Sequence, residues 1–311
     1  MTVRSEEPKG MKGRRPGRTA KVPLAIGLLL AGLIILVVQV NRTQLWEDQT
    51  VYAGWRLQTH ILTGSCRLLD RENETRAVGS GGDCAAALSR ARSNGAVRPA
   101  SDHLVLMLHG LGRSPWLFRQ METALREAGY DAVAISYPSL TKDVAGHAEH
   151  LRRILDNAGG VRRVSFVTHS LGGIVLREAL AVDSAWRDRL ELGRVVMLAP
   201  PNQGSELALA LDDIRLFHLL GGPSAGEMVK GHRYADPPPG LEIGVIAGAT
   251  PGGRGFNPLL SANNDGVVTV EETRLVGMRD FRLVTAPHTV IASAPETIAA
   301  TLEFLESGRF R

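Results

Sequence analysis

From residue 103 onward the chain alternates between two hydrophobic rhythms. Short apolar runs rich in Val, Leu and Ile occupy 103–108, 131–136, 164–167, 193–199, 241–247 and 281–285. They are too short for helices and predict buried strands. Between them, 115–128, 144–157, 171–180 and 296–306 space their apolar residues three and four apart, as helices packed on one side do. Strands alternating with helices of this length imply an α/β class: a mostly parallel sheet with helices on both faces. In such sheets the ligand site lies at the carboxyl ends of the strands. The alternation pauses at 204–240. There 205–220 predicts one amphipathic helix with Leu207, Leu211, Ile214 and His218 on one side, followed by a loose stretch ending in three prolines and Gly240. This segment is either a cap over an apolar pocket or an ordinary helix on the sheet.

The first hundred residues follow a different pattern. Residues 22–40 form a run of nineteen without a charge, enough to cross a hydrocarbon core. Before it stand Arg4, Lys9, Lys12, Arg14, Arg15, Arg18 and Lys21, against Glu6 and Glu7. The expected organisation is therefore a basic cytoplasmic tail (1–21), a transmembrane anchor (22–40), a juxtamembrane and linker region (41–100), and a folded domain (101–311) on the extracytoplasmic side. A cleaved signal peptide is the competing reading of the apolar run. Within the linker, 45–62 is expected as a juxtamembrane helix whose Trp46, Tyr52 and Trp55 suit a membrane interface; 79–82 and 92–102 are expected as loop. Cys66 and Cys84 are the two cysteines. In a translocated domain they form a disulfide or remain two buried thiols, and their spacing does not choose.

Composition sharpens this only in places. The 311 residues, 44% of them hydrophobic, suit one large α/β domain with extensions. Of the net charge of +4, the first 21 residues carry +5, with seven bases against two acids, leaving the rest near −1. A nucleic-acid-binding domain is not supported by that balance.

The chemistry-bearing residues sit where strands end. Ser170 lies between the strand at 164–167 and the helix opening Leu171-Gly172-Gly173. A serine on such a turn is lifted above the sheet beside free helical N–H groups, as a nucleophile in acyl transfer requires. His109-Gly110-Leu111-Gly112 follows the first strand of the alternation; the N–H groups of Leu111 and Leu171 would hold a developing oxyanion. His288 follows the last strand and could serve as base. Asp265, in Asn264-Asp265-Gly266, could fix its tautomer, and the order Ser, Asp, His suits this architecture. Glu271 continues the apolar run 267–270, which commits its backbone to regular structure, and Asp280 enters the last strand at the wrong end. Asp143, His147 and His150 have a metal-like helical spacing but are expected on a solvated face. His169 is expected to point away from Ser170.

The quoted motifs, with Pro200-Pro201-Asn202-Gln203-Gly204-Ser205, resemble the α/β-hydrolase superfamily, close to bacterial lipases and esterases, over residues 103–306. Thr168 stands where the G-x-S-x-G elbow has its first glycine, a departure with a small side chain. The resemblance implies a covalent acyl-enzyme on Ser170 and neither cofactor nor metal. The expected function is a membrane-anchored serine hydrolase of carboxylic esters, lipid or acyl esters first. Alternatives are an acyltransferase sharing the acyl-enzyme, and a catalytically silent binding domain on the same fold.

Overall fold

The computed structural model describes residues 44–311; the tail and anchor expected at 1–40 lie outside the described residues. Among the described residues, no helix is long and apolar enough to cross a membrane.

Residues 46–79 depart from expectation. Instead of a juxtamembrane helix they form a four-stranded antiparallel sheet: β1 (Trp46–Tyr52), β2 (Trp55–His60), β3 (Cys66–Leu69) and β4 (Thr75–Gly79), in the order β1-β2-β3-β4. The reason is local. Trp, Thr, Val and Tyr favour the pleated surface, and Ala53-Gly54, with φ of +52° and +77°, make a two-residue hairpin turn that pairs Tyr52 with Trp55. Helix α1 (Gly81–Ser93) follows, its first turn closed by a reciprocal cap between Ser80 and Asp83. Gly79 thus ends a strand and Gly81 begins a helix where a loop was expected. A disulfide joins Cys66 on β3 to Cys84 on α1, with Cα atoms 6.3 Å apart. Around it Leu57, Leu68 and Leu88 form a small separate core.

The small sheet is stitched to the main one. The backbone N–H of Asp48 donates to the Ser136 carbonyl at 2.9 Å, and the Asp48 carboxylate, fully buried, accepts the Ser136 N–H at 2.5 Å.

The main sheet has six strands, all parallel: β5 (His103–Leu108), β6 (Asp131–Ile135), β7 (Arg163–His169), β8 (Glu191–Leu198), β9 (Ile243–Gly248) and β10 (Asp280–Val284). Their order is β10-β9-β8-β7-β5-β6. Alternate residues serve opposite faces. Leu104, Leu106 and Leu108 pack with α3 (Val144–Asn157) and α4 (Leu171–Leu180). Val105 and Met107 pack with α2 (Arg119–Glu127) and α8 (Pro295–Ser307). The chain places β6 on one side of β5 and β7 on the other, so the order reverses there. The crevice above β5 and β7 is where such sheets bind ligands.

Where one helix was expected over 205–220 there are two, α5 (Glu206–Leu211) and α6 (Arg215–Gly221), followed by α7 (Pro223–Glu227). Asp212-Asp213 interrupt the first pair: Ile214 is extended, and the His218 ring N–H turns back to the Asp212 carbonyl at 2.7 Å. Leu207 and Leu211 therefore belong to a different helix from His218.

Candidate active site

Four loops at the carboxyl ends of β5, β7, β9 and β10 meet above the crevice. Ser170 joins β7 to α4 with φ +51° and ψ −123°, a conformation an L-residue adopts only under constraint. The constraint is visible. Its N–H donates to the Leu198 carbonyl at 2.9 Å, and a Cβ on Gly172 would come within 2.4 Å of the Leu108 carbonyl. The helix start thus lies directly on β5, and only glycine permits it.

Residues 109–113 are held from below. The Tyr137 hydroxyl donates to the His109 carbonyl, and the two rings stack with centroids 4.3 Å apart. Gly112 donates its N–H to Ser139 at 2.9 Å, and Arg113 closes a turn onto the Gly110 carbonyl at 3.1 Å. Leu111, the middle of this turn, lines the same cavity as Ser170 and His288. Leu171 is the first residue of α4, whose opening N–H groups have no intrahelical partner.

His288 donates from Nδ1 to Asp265 Oδ2 at 2.7 Å. That contact puts the lone pair on Nε2, the atom a general base needs. Asp265 is itself buried, its Oδ1 accepting the N–H groups of Val267 at 3.0 Å and Val268 at 2.8 Å. Its neighbour Asn264, with no exposed surface, pins the loop by accepting from Asn257 and Gly266. Ser170 and His288 keep 8% and 6% of their surface exposed, enough to face a ligand and little enough to exclude bulk water.

The other carboxylates lie elsewhere. Asp280 caps the amino end of β10 and accepts the Phe310 N–H at 2.7 Å. Glu271 is exposed, paired with Arg274, and lies in turns, not in the regular structure expected for 267–271. The turns arise because Glu272 accepts the Thr269 N–H at 2.8 Å while its own N–H reaches the Thr269 hydroxyl. The other Glu272 oxygen takes the Glu206 N–H at 2.6 Å, tying the start of α5 to the acid loop. The second Glu of the pair Glu271-Glu272 carries no sequence signal for this role.

Solved structures of similar shape cover about two thirds of this chain. The Bacillus licheniformis lipase BlEst2 in mature form superposes with a TM-score of 0.51 at 22% identity, covering 65% of this chain and 91% of that one. Its propeptide form gives 0.52 at 22% identity, over 67% and 50%. The fold is that of the α/β hydrolases. Residues 83–221 match a family model described as a domain of unknown function (DUF7379). A curated rice protein (Oryza sativa subsp. indica), described as probable esterase PIR7A, is 28% identical over 117 residues, 35% of this chain and 43% of its own length. The chain thus spans less than half of that relative.

Two histidine expectations are corrected. His169 does not turn away: its ring N–H donates from Nε2 to the His288 carbonyl at 3.0 Å, the two rings lie 4.6 Å apart, and it forms part of the cavity wall. Burial, reinforced by repulsion from His288, holds it well below the usual histidine range, hence neutral. His147 and His150 are buried, not solvated, because the small sheet covers that face of α3. His150 donates to the Asp48 carbonyl at 2.5 Å, and Asp143 caps the helix through the Gly146 N–H. Among the described residues no cluster of three or more potential ligands could hold a metal ion.

The cavity above Ser170 has a volume of about 230 Å³. The wall contributed by the 204–240 segment is apolar, formed by Leu207, Leu211, Phe217 and Met228. A second, outer cavity of about 420 Å³ shares Leu111, Leu211 and Phe217 with it and continues along Ile214 and Leu220. Arg177 of α4 ties down the 204–240 segment by donating to the carbonyls of Asn202, just before it, and of Tyr234 and Ala235 within it.

Proposed function

We propose that this chain is a membrane-anchored serine hydrolase that cleaves carboxylic esters with apolar acyl groups. The observation that carries the reading is the 2.7 Å contact between His288 Nδ1 and Asp265 Oδ2, with His288 and Ser170 lining one apolar cavity. Ser170 attacks the ester carbonyl while His288 Nε2 takes its proton. Asp265 keeps the imidazole in the competent tautomer and stabilises it when charged. The N–H groups of Leu111 and Leu171 receive the oxyanion. The proton passes to the leaving alcohol, and water activated by the same imidazole then releases the acid from Ser170.

Lipid or long acyl esters are the substrates this reading favours. The inner cavity and the outer groove are both mostly apolar and share Leu211 and Phe217 as wall residues, which suits an acyl chain. The uncharged run at 22–40 would keep the domain beside a membrane, and the seven bases before it favour an extracytoplasmic catalytic domain. The Cys66–Cys84 disulfide suits that oxidising side.

Labelling with a fluorophosphonate tests the reading. The wild-type chain should label and lose esterase activity in step, and Ser170→Ala should do neither while keeping its fold. Undiminished labelling of the variant, or an unlabelled wild type, refutes it.

A further inference from the structure

Arg113 is the only permanently charged side chain among the residues lining the inner cavity, and no carboxylate lines that cavity. It is half-buried, two residues beyond Leu111, and among the described residues its guanidinium has no ion pair or hydrogen bond. Its backbone is nevertheless firmly placed: its N–H is bonded to the Gly110 carbonyl, and its carbonyl accepts from Gln44 at 3.1 Å. Several other interior or half-buried guanidinium groups among the described residues are compensated. Arg56 meets Asp48, Arg71 meets Asp131, and Arg177 has its carbonyl cage.

A guanidinium held in a mostly apolar cavity without a counter-charge pays for its lost hydration unless a ligand supplies the anion. We propose that Arg113 selects esters whose alcohol portion carries an oxyanion, a phosphate or a carboxylate, while the acyl chain lies along Leu207, Leu211 and Phe217. This deepens the hydrolase reading and rests on it for the identity of the bond broken. In an acylglycerol phosphate, the acyl carbon would bond to Ser170 Oγ as the ester C–O bond to glycerol breaks. The serine proton would pass through His288 to the glycerol oxygen, and water would then free the fatty acid. The phosphate is bound and leaves unchanged.

Equilibrium binding of ether-linked analogues to the full chain in neutral detergent tests this without turnover. The probes are 1-O-alkyl-glycerol 3-phosphate, the matching alkyl ether of glyceric acid, and neutral 1-O-alkyl-glycerol. Wild type should bind at least one anionic probe about tenfold or more tighter than the neutral one, the worth of one partly desolvated charge-assisted contact. Arg113→Gln should bring that ratio within about twofold of unity, and Arg113→Lys should keep part of it. Which anionic probe gains more tells phosphate from carboxylate. A wild-type ratio near unity overturns the proposal. So does a ratio that survives Arg113→Gln, or an Arg113→Gln chain that loses neutral and anionic probes equally. Because ethers are not hydrolysed, the ratio is read whether or not Ser170 is a nucleophile. A failed fluorophosphonate experiment would sink the hydrolase reading and leave this ratio to be judged alone.

Discussion

His288 and Asp265 are joined twice, by side chains at 2.7 Å and by the His288 N–H on the Asp265 carbonyl at 2.8 Å. The second bond locks the two loops in register, so the imidazole orientation does not depend on the carboxylate alone. Replacing the acid should therefore disturb the tautomer more than the position. Asp265→Asn is expected to cost at least about 100-fold in kcat, approaching the roughly 10⁴ known for acid replacement in such triads. Asp280→Asn and Glu271→Gln should each cost less than about fivefold. Steady-state kinetics on one acyl ester checks all three, and a crippled Asp280→Asn beside an active Asp265→Asn would reverse the assignment.

The elbow gives a prediction about stability in place of rate. Ser170 holds φ +51° and ψ −123°, which costs a non-glycine residue of order 1–3 kcal/mol. Ser170→Gly should abolish hydrolysis yet raise Tm by roughly 3 °C or more, since glycine accepts this backbone without strain. Gly172→Ala should do the opposite, its Cβ meeting the Leu108 carbonyl at 2.4 Å. Calorimetry on the two variants reads both signs; a lowered Tm for Ser170→Gly would mean the turn is not strained.

Why these residues were legible and others were not has a physical basis. Ser170, His109-Gly110-Leu111-Gly112 and His288 each closely follow an apolar run short enough to be a buried strand, so periodicity puts them at strand ends; Asp265 comes only after a long loop beyond β9 and was legible from its Asn-Asp-Gly turn and its order before His288. The helix expected over 45–62 failed because Trp46, Tyr52 and Trp55 suit a membrane interface and a strand equally, and only the Ala53-Gly54 turn separates the two. His147 and His150 look solvated because nothing within α3 announces the sheet that covers it. Residues 205–220 read as one helix because periodicity carries across Asp212-Asp213 even though the backbone does not. Arg113 and Glu272 have no local signature: their positions matter through what other segments bring to them.

Acid should weaken the fold through two buried imidazoles. Burial pushes His109 and His147 down to about 4, with repulsion from His150 and Lys142 adding to the effect at His147. The folded chain keeps both neutral, whereas the unfolded chain takes up protons below about 6.5. The unfolded state then binds more protons, so stability falls as pH falls. Their contribution is complete above about 6.5 and is lost progressively toward 4. Tm measured between pH 7.5 and 4.5 should drop across that window, and His147→Phe should flatten the slope while leaving the pH 7.5 value less affected. An unchanged slope in that variant would show that His147 is already accessible to protons in the native state.

The last prediction concerns the disulfide. Cys66 and Cys84 close a loop of 18 residues under a small core of Leu57, Leu68 and Leu88, and few other apolar side chains hold α1 to its sheet. Removing the bond should cost about 3 kcal/mol, the usual effect of releasing a loop of this length. The loss should not stay local. β1 carries Asp48, whose buried carboxylate and N–H are bonded to Ser136 at the end of β6, and His150 of α3 leans on the Asp48 carbonyl. Loosening the small sheet therefore strains the Asp48 bonds to Ser136 and its pairing with Arg56, next to the Tyr137 that supports the His109 loop. Cys66→Ala with Cys84→Ala, or reduction by dithiothreitol, should lower Tm and reduce esterase activity together. Tm unmoved by dithiothreitol, with two titratable thiols in the untreated protein, would show that the bond is absent and would remove its support for an extracytoplasmic domain.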